Sequence, residues 1–143
     1  MLLWRISNYA TLDGMGGTLQ SARWHTAGKP IVYAADHPST CLLEMLVNVN
    51  ASLLPTRIQL LKILVPDDLQ SVATKIPGDW RNDTMISRGI GDAWLEKTGS
   101  VLLQVPSAIL PDVYNTLINP LHHDAKRLKI MSVQAVPLDQ RLS

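Results

Sequence analysis

The sequence predicts an α+β domain in which a mixed, twisted or split β-sheet has helices beside it. The predicted order of elements is strand, strand, helix, strand, helix, strand, strand, and it lacks the regular β-α-β alternation of a doubly wound fold. The composition, with 46% hydrophobic and 17% charged residues, is that of a globular protein. We therefore expect one domain over residues 1–143, a length that can bury a core without disulfide bonds.

The N-terminal part is predicted to hold two strands separated by a glycine-rich loop. Residues 2–6 form a short apolar run that is typical of a strand. The glycines at positions 14, 16 and 17 predict a loop whose backbone can approach another group closely. After a turn at Gly28, residues 31–35 have the composition of a buried strand.

The first helix is predicted over residues 40–48, with Ser39 as its N-cap. Its side chains are apolar almost all the way round the helix. A helix of this kind is usually packed on several sides, so we expect it to be largely buried.

The second half of the chain is predicted to add three strands and a helix. The helix covers residues 85–97, with Gly99 as its C-cap. Pro111 interrupts residues 109–118, which we expect to be irregular. The predicted strands cover residues 57–65, 101–105 and 128–136, and a polar connection covers residues 67–79.

Composition and charge argue against several classes of protein. The 13 basic and 12 acidic residues leave a net charge of +1, without the basic surplus of a typical nucleic-acid-binding protein. The single cysteine, Cys41, cannot form an intrachain disulfide, which suits a reducing compartment. No stretch reaches the ~18 apolar residues of a membrane span, and the first residues do not form a signal peptide. We expect a cytoplasmic protein that binds neither membrane nor nucleic acid.

Glu44 is the residue whose setting is unusual by itself. It lies in the apolar helix, where a buried carboxylate is costly unless it is paired or used in chemistry. Its helical neighbours Thr40, Cys41 and Asn48 cannot neutralise its charge. The alternatives are that Glu44 faces solvent on one wet stripe of the helix or pairs with a distant arginine.

Three other residues could take part in chemistry, and for each the sequence leaves a structural alternative. Arg23 follows the glycine-rich loop, so it could bind a phosphate group in a forked geometry or stack on Trp24. Tyr33 could lie in the core or form a platform for a flat ring. Ser107 could cap a turn or project into a cleft, and no nucleophile-elbow pattern surrounds it.

Metal and cofactor motifs are not expected in this chain. His122 and His123 are adjacent, and adjacent side chains usually point apart, so we do not predict a metal site. The glycine spacing differs from the dinucleotide-binding fingerprint, and a Walker motif is absent.

Five short motifs occur in an order that resembles the RES domain, a family named for its Arg, Glu and Ser. The resemblance covers nearly the whole chain and makes residues 1–143 a single RES domain. The motifs are Trp4-Arg5-Ile6, Ala22-Arg23-Trp24 followed by Gly28-Lys29-Pro30-Ile31-Val32-Tyr33-Ala34, Leu43-Glu44, Val105-Pro106-Ser107-Ala108 and Leu117-Ile118-Asn119-Pro120.

The resemblance implies a fold similar to diphtheria-toxin-like ADP-ribosyltransferases. It also implies the toxin half of a type II toxin–antitoxin pair, with an Xre-type antitoxin as partner. Such a toxin depletes NAD⁺ as a glycohydrolase or a phosphorylase, with NAD⁺ as substrate and no separate cofactor. By the same resemblance Glu44, Arg23 and Tyr33 are catalytic, while Arg23, Tyr33, Ser107 and Asn119 bind the substrate.

The sequence departs from the family pattern at two places. His25 stands where the family often has Asn, and Leu121-His122-His123 stands where His-Pro often follows the Asn-Pro pair. These departures concern substrate orientation near His25 and the backbone after Asn119.

The implied mechanism gives each residue a role in breaking the nicotinamide–ribose bond. Glu44 stabilises the positive charge that develops on the ribose. Tyr33 stacks on nicotinamide, Arg23 grips the pyrophosphate, and Ser107 bonds to the ribose or the amide. The sequence does not choose between water and phosphate as the attacking group.

Three other functions remain as alternatives, together with a homodimer as an alternative assembly. One is an ADP-ribosyltransferase that modifies a protein. Another is a non-catalytic module that binds a nucleotide or a partner. The third is an RNase that uses His122 or His123 as acid and base, against which the missing basic surplus counts.

Overall fold

A seven-stranded mixed sheet organises the protein, which a computed structural model describes over residues 1–143. The strands are β1 (Leu2–Ile6), β2 (Val32–Ala35), β3 (Arg57–Leu64), β4 (Val72–Ala73), β5 (Leu102–Pro106), β6 (Tyr114–Ile118) and β7 (Lys129–Pro137). The α-helices are α1 (Gly16–Leu19), α2 (Pro38–Asn48) and α3 (Thr84–Lys97). Short 3₁₀ turns cover Ala51–Leu53, Ala125–Arg127 and Gln140–Leu142.

The strand order is β4-β5-β6-β2-β1-β3-β7, so neighbours in space are often distant in the chain. All neighbouring pairs are antiparallel except β4 and β5, which are parallel. The sheet and its helices confirm the predicted α+β class. The order brings β2 between β1 and β6, and this central trio forms the base of the cavity described below.

Two of the sequence expectations about strands were wrong. Residues 109–118 are not irregular throughout, because Tyr114–Ile118 forms β6 and pairs with both β2 and β5. Pro111 lies in the loop before this strand, beside Asp112 with its positive φ of 61°, so it does not interrupt the pairing. The polar connection over residues 67–79 also contains the short edge strand β4.

Both predicted helix caps lie one or two residues from the observed ones. The N-cap of α2 is His37, whose side chain accepts a hydrogen bond from the Ser39 N–H at 3.2 Å, and Pro38 takes the first helical position. The C-cap of α3 is Thr98, whose φ of 48° is left-handed, and its N–H donates to the Trp94 carbonyl.

The two long helices differ in burial, and the prediction that α2 is largely buried was wrong. No residue of α2 is buried, and Val47 is 57% exposed. By contrast, α3 buries Ser87, Gly91 and Leu95, and Leu95 joins a buried cluster that contains both Trp24 and Trp80. None of the helices is long and apolar enough to cross a membrane.

Candidate active site

A cavity of about 590 Å³ lies beside α2 and the central strands. Eighteen residues line it, of which eleven are hydrophobic. The lining residues that could take part in chemistry come from five parts of the chain: Arg5 of β1, Arg23 from the segment after α1, Tyr33 of β2, Glu44 of α2 and Asn115 of β6. The structure thus brings together the three residues predicted to be catalytic and adds two others.

Glu44 is held by neutral hydrogen-bond donors. Its Oε1 accepts from Ser107 Oγ at 2.9 Å and from Asn115 Nδ2 at 2.8 Å. Both donors use the same oxygen, so Oε2 has no protein donor. Glu44 therefore does not pair with an arginine, and its Oε2 is without a protein donor on a side chain that lines the cavity.

Ser107 lies behind Glu44 and not on the cavity surface. It is 1% exposed, and besides donating to Glu44 its Oγ accepts from the Ile109 N–H at 3.1 Å. Its backbone N–H donates to the Val113 carbonyl, which closes the loop between β5 and β6. The hydroxyl is thus committed to orienting the carboxylate.

Asn115 was missed because its segment was expected to be irregular. As part of β6 it lies opposite Ala35 of β2 and Val105 of β5. This register places a side-chain amide beside Glu44, 71 residues away in the chain. A strand prediction for residues 114–118 would have been the signal needed to find it.

Arg5 is a second residue that the sequence reasoning missed, although it belongs to one of the recognised motifs. Its Nη1 donates to the Tyr33 carbonyl at 2.8 Å. Burial lowers the pKa of its guanidinium, which still keeps its charge near neutral pH. Because its protein partner is a carbonyl, this cation can still bind an anion in the cavity.

Arg23 lies at the cavity wall, and α3 holds its backbone. Its Nη1 donates to the Arg81 carbonyl at 3.2 Å, and its Cζ lies 6.0 Å from the ring centroid of Trp80. The aromatic neighbour is therefore Trp80 and not Trp24, which is buried. Ser87 Oγ donates to the Arg23 carbonyl at 2.5 Å.

Tyr33 borders the cavity with its ring, while its hydroxyl is bound within the protein. The Oη accepts from the Trp24 N–H at 3.1 Å and lies 2.8 Å from His25 Nδ1. Burial raises the pKa of this phenol, so the hydroxyl stays protonated near neutral pH. A flat ligand can contact the ring, but the hydroxyl is already engaged.

Asn119 is not brought to the cavity, in contrast to the predicted substrate contact. It is 1% exposed, its Nδ2 donates to the Leu95 carbonyl at 3.4 Å, and its Oδ1 accepts from the Leu121 N–H at 3.1 Å. Both polar ends are used to hold the turn after β6, which is a structural role.

The expectation that the rings of His122 and His123 point apart was wrong. They stack with 4.2 Å between centroids, and their ligand atoms lie within 4.8 Å of one another and of an Asp124 oxygen, so the three could hold a metal ion. His122 Nδ1 already accepts from the Asp124 N–H at 3.0 Å, and Asp124 pairs with Arg127. None of these residues lines the cavity.

The fold and cavity define a class: an α+β domain with an anchored carboxylate and two arginines around one cleft. Within that class, the RES domain model matches residues 2–139. The chain therefore belongs to the RES domain family, which confirms the family predicted from its motifs.

Relatives and a solved structure agree with this membership. The chain is similar to Toxin Res of Pseudomonas putida (41% identity over 145 residues, 99% of both chains). It is also similar to the Prs ADP-ribosylating toxin of Sphingobium sp. (36% identity over 152 residues, 97% of this chain and 94% of the relative). The chain thus stands among RES-domain toxins.

The fold is similar to that in the crystal structure of the M. tuberculosis MbcT–MbcA toxin–antitoxin complex. The TM-score is 0.75 at 16% identity, and the match covers 95% of this chain and 84% of the other. This likeness shows that the chain shares its fold with a protein of a toxin–antitoxin complex.

Proposed function

We propose that residues 1–143 form a single RES domain that acts as a toxin by consuming NAD⁺. The reaction is cleavage of the bond between nicotinamide and ribose. The observation that carries the proposal is the Glu44 carboxylate, which has one anchored oxygen and one unpaired oxygen at a cavity of about 590 Å³.

The chemistry of NAD⁺ suits a site with a carboxylate and no strong acid. When the C–N bond breaks, its electron pair leaves with nicotinamide, which departs as a neutral molecule. Positive charge then develops on the ribose, and a nearby carboxylate stabilises it. Attack by water yields ADP-ribose and a proton, whereas attack by phosphate yields ADP-ribose 1″-phosphate. NAD⁺ is thus the substrate, and no further cofactor is needed.

The remaining residues receive roles that follow from their positions. Arg5 and Arg23 supply two cations for the pyrophosphate, which carries two negative charges. The Tyr33 ring stacks on a flat ring of the substrate. Ser107 and Asn115 act through Glu44, so Ser107 is a positioning residue in this scheme and does not contact the ribose.

Product analysis with purified protein tests the proposal. We expect nicotinamide release from NAD⁺, and mass spectrometry with and without phosphate identifies the acceptor. Glu44→Gln should lower the turnover by about 10³-fold, because the charge is lost while the amide oxygen can still accept both hydrogen bonds. The matched control is Glu96→Gln, which changes the exposed glutamate of α3. Wild-type turnover by the Glu44→Gln protein would refute the proposed mechanism.

Protein ADP-ribosylation is the second candidate, and the name of the 36% identical relative from Sphingobium favours it. The same cavity and the same charge stabilisation serve both reactions, since only the acceptor differs. Incubation with labelled NAD⁺ and cell extract separates them. A labelled protein indicates transfer to a target, whereas free ADP-ribose or its phosphate indicates depletion of NAD⁺.

A cytoplasmic antitoxin of the Xre type is the proposed partner, because a protein that consumes NAD⁺ endangers its own cell. The similar fold in a toxin–antitoxin complex supports this partner. Co-expression of the cognate antitoxin should restore growth and inhibit NAD⁺ turnover. A homodimer remains an alternative use of the exposed apolar surface, and light scattering at several concentrations tests it.

A further inference from the structure

His25 is a buried histidine that has no role in the proposed bond cleavage. It is 2% exposed, yet both of its ring nitrogens have partners. Nδ1 lies 2.8 Å from Tyr33 Oη, and Nε2 lies 3.0 Å from the Gly17 carbonyl oxygen. The side chain thus bridges β2 and α1 beneath the cavity.

The partners of His25 allow one arrangement of protons for a neutral ring. The Gly17 carbonyl can only accept, so Nε2 must carry the proton. A neutral imidazole has a single N–H, and Nδ1 is therefore an acceptor that receives the Tyr33 hydroxyl proton. The Tyr33 oxygen in turn accepts from the Trp24 N–H. Every donor in this chain of hydrogen bonds has an acceptor.

The bridge connects three segments that line or support the cavity. Gly17 lies in α1, and Gln20 and Ser21, which follow this helix, line the cavity. The close approach depends on glycine, because a Cβ at position 17 would lie 3.1 Å from His25 Nε2 and 2.6 Å from the Lys29 carbonyl oxygen. Tyr33 brings its ring to the cavity from β2.

We propose that His25 is a positioning residue that orients the substrate through the Tyr33 ring and through residues 17–21. This inference rests on the proposed consumption of NAD⁺. The neutral Nε2–H imidazole holds the aromatic ring and the cavity wall in one fixed relation before the substrate binds. Such preorganisation affects substrate orientation, although His25 itself does not reach the cavity of Glu44.

Two substitutions separate the two ends of the bridge. The side-chain oxygen in His25→Asn can stand near the position of Nδ1 and accept from Tyr33, but the side chain is too short to reach Gly17. The amide in His25→Gln can stand near Nε2 and donate to Gly17, but it leaves the Tyr33 hydroxyl without its acceptor. His123→Gln is the matched control, because His123 is exposed and does not line the cavity.

We expect the two variants to split KM from kcat. His25→Asn should raise the KM for NAD⁺ about tenfold with little change in kcat, because the 17–21 wall loosens. His25→Gln should lower kcat about tenfold with little change in KM, because the ring next to the reacting centre loosens. Wild-type KM and kcat in both variants would overturn the proposal.

Nitrogen NMR of the imidazole in the wild-type protein tests the bridge independently of turnover. We expect a protonated Nε2 and an unprotonated Nδ1 at pH 7, together with slow exchange of the Nε2 proton. The opposite tautomer, or a doubly protonated ring, would overturn the inference even if all variants failed to fold. If the wild-type protein released no nicotinamide, the proposed function would fail, and the tautomer would still decide whether His25 forms this bridge.

Discussion

The two long helices beside the cavity are held in place in different ways. Helix α3 buries three residues. It also holds the backbone around Arg23, because Ser87 Oγ donates to the Arg23 carbonyl and Arg88 Nε donates to the Ala22 carbonyl at 2.7 Å. Helix α2 buries none, yet it carries Glu44. The side of the cavity that carries Arg23 is therefore fixed by close packing of α3 and by hydrogen bonds from α3 to the backbone, whereas the side that carries Glu44 is fixed by hydrogen bonds between side chains.

This difference predicts that changes in α3 alter stability and that changes near α2 alter activity. The strongest expected effect is at Gly91, where an added Cβ would overlap the Trp24 carbonyl. We expect Gly91→Ala to lower the free energy of unfolding by about 3 kcal/mol. Urea denaturation followed by tryptophan fluorescence measures the loss, since both Trp24 and Trp80 lie in the neighbouring buried cluster.

Gly89 offers the matched control in the same helix. It is exposed, and nothing lies within 4 Å of an added Cβ. Gly89→Ala should raise the free energy of unfolding by about 0.5–1 kcal/mol, because alanine favours the helix. Opposite signs at two glycines two residues apart would confirm that close packing, and not helix propensity, governs α3. Equal effects at both positions would contradict it.

The same contrast explains which parts of the site could be predicted from the sequence. Glu44 stood out because a charged residue in an apolar helix can be recognised from the residues within one helical turn of it. Its two donors could not be found in this way, since Ser107 and Asn115 lie 63 and 71 residues further along. The resemblance pointed to Ser107 as a substrate contact, and only its burial and its hydrogen bond to Glu44 show that it lies behind the carboxylate.

The fold was predictable where the local pattern and the environment agree. The strands over residues 2–6 and 57–65 have apolar patterns, and the structure pairs them in the sheet. The exposure of α2 was not predictable. Apolar residues indicate that a helix tends to be covered, but they do not show which part of the molecule covers it. Likewise, β6 is defined by its pairing with β2 and β5, which no local pattern near Pro111 shows.

Removing one of the two hydrogen-bond donors to Glu44 tests whether side-chain hydrogen bonds hold this carboxylate in place. We expect Asn115→Ala to lower kcat for NAD⁺ about tenfold while the free energy of unfolding changes by less than about 1 kcal/mol. The reason is that a carboxylate with one donor can rotate away from the reacting centre. Steady-state kinetics and urea denaturation on the same preparation measure both quantities.

Asn8→Ala is the control for this prediction, since Asn8 is exposed and outside the cavity. Ser107→Ala should also lower kcat, but it should cost about 1 kcal/mol of stability because the Ile109 N–H loses its acceptor. If Asn115→Ala kept the wild-type kcat, the carboxylate would be held by packing after all, and the contrast between the helices would fail.

The last prediction concerns Cys41, whose side chain lies on the cavity side of α2. Burial raises the pKa of the Cys41 thiol to about 11, from an ordinary value of 9.0, and its Sγ donates to the Trp4 carbonyl. The unfolded chain loses this proton near pH 9, while the folded chain keeps it up to about pH 11. The thiol therefore contributes stability that is fully present below pH 9 and is lost as the pH rises towards 11.

A pH series of urea denaturation with wild-type protein and Cys41→Ala measures this contribution. The difference in free energy of unfolding between the two proteins should be constant below pH 9. Between pH 9 and pH 11 the wild-type protein should lose stability relative to Cys41→Ala. Tyr33 is present in both proteins, so its contribution cancels in the difference. A difference that stayed constant up to pH 11 would mean that water reaches the thiol. Helix α2 would then be wet on its cavity side, and Glu44 would act in a more strongly screened field than a dry cavity allows.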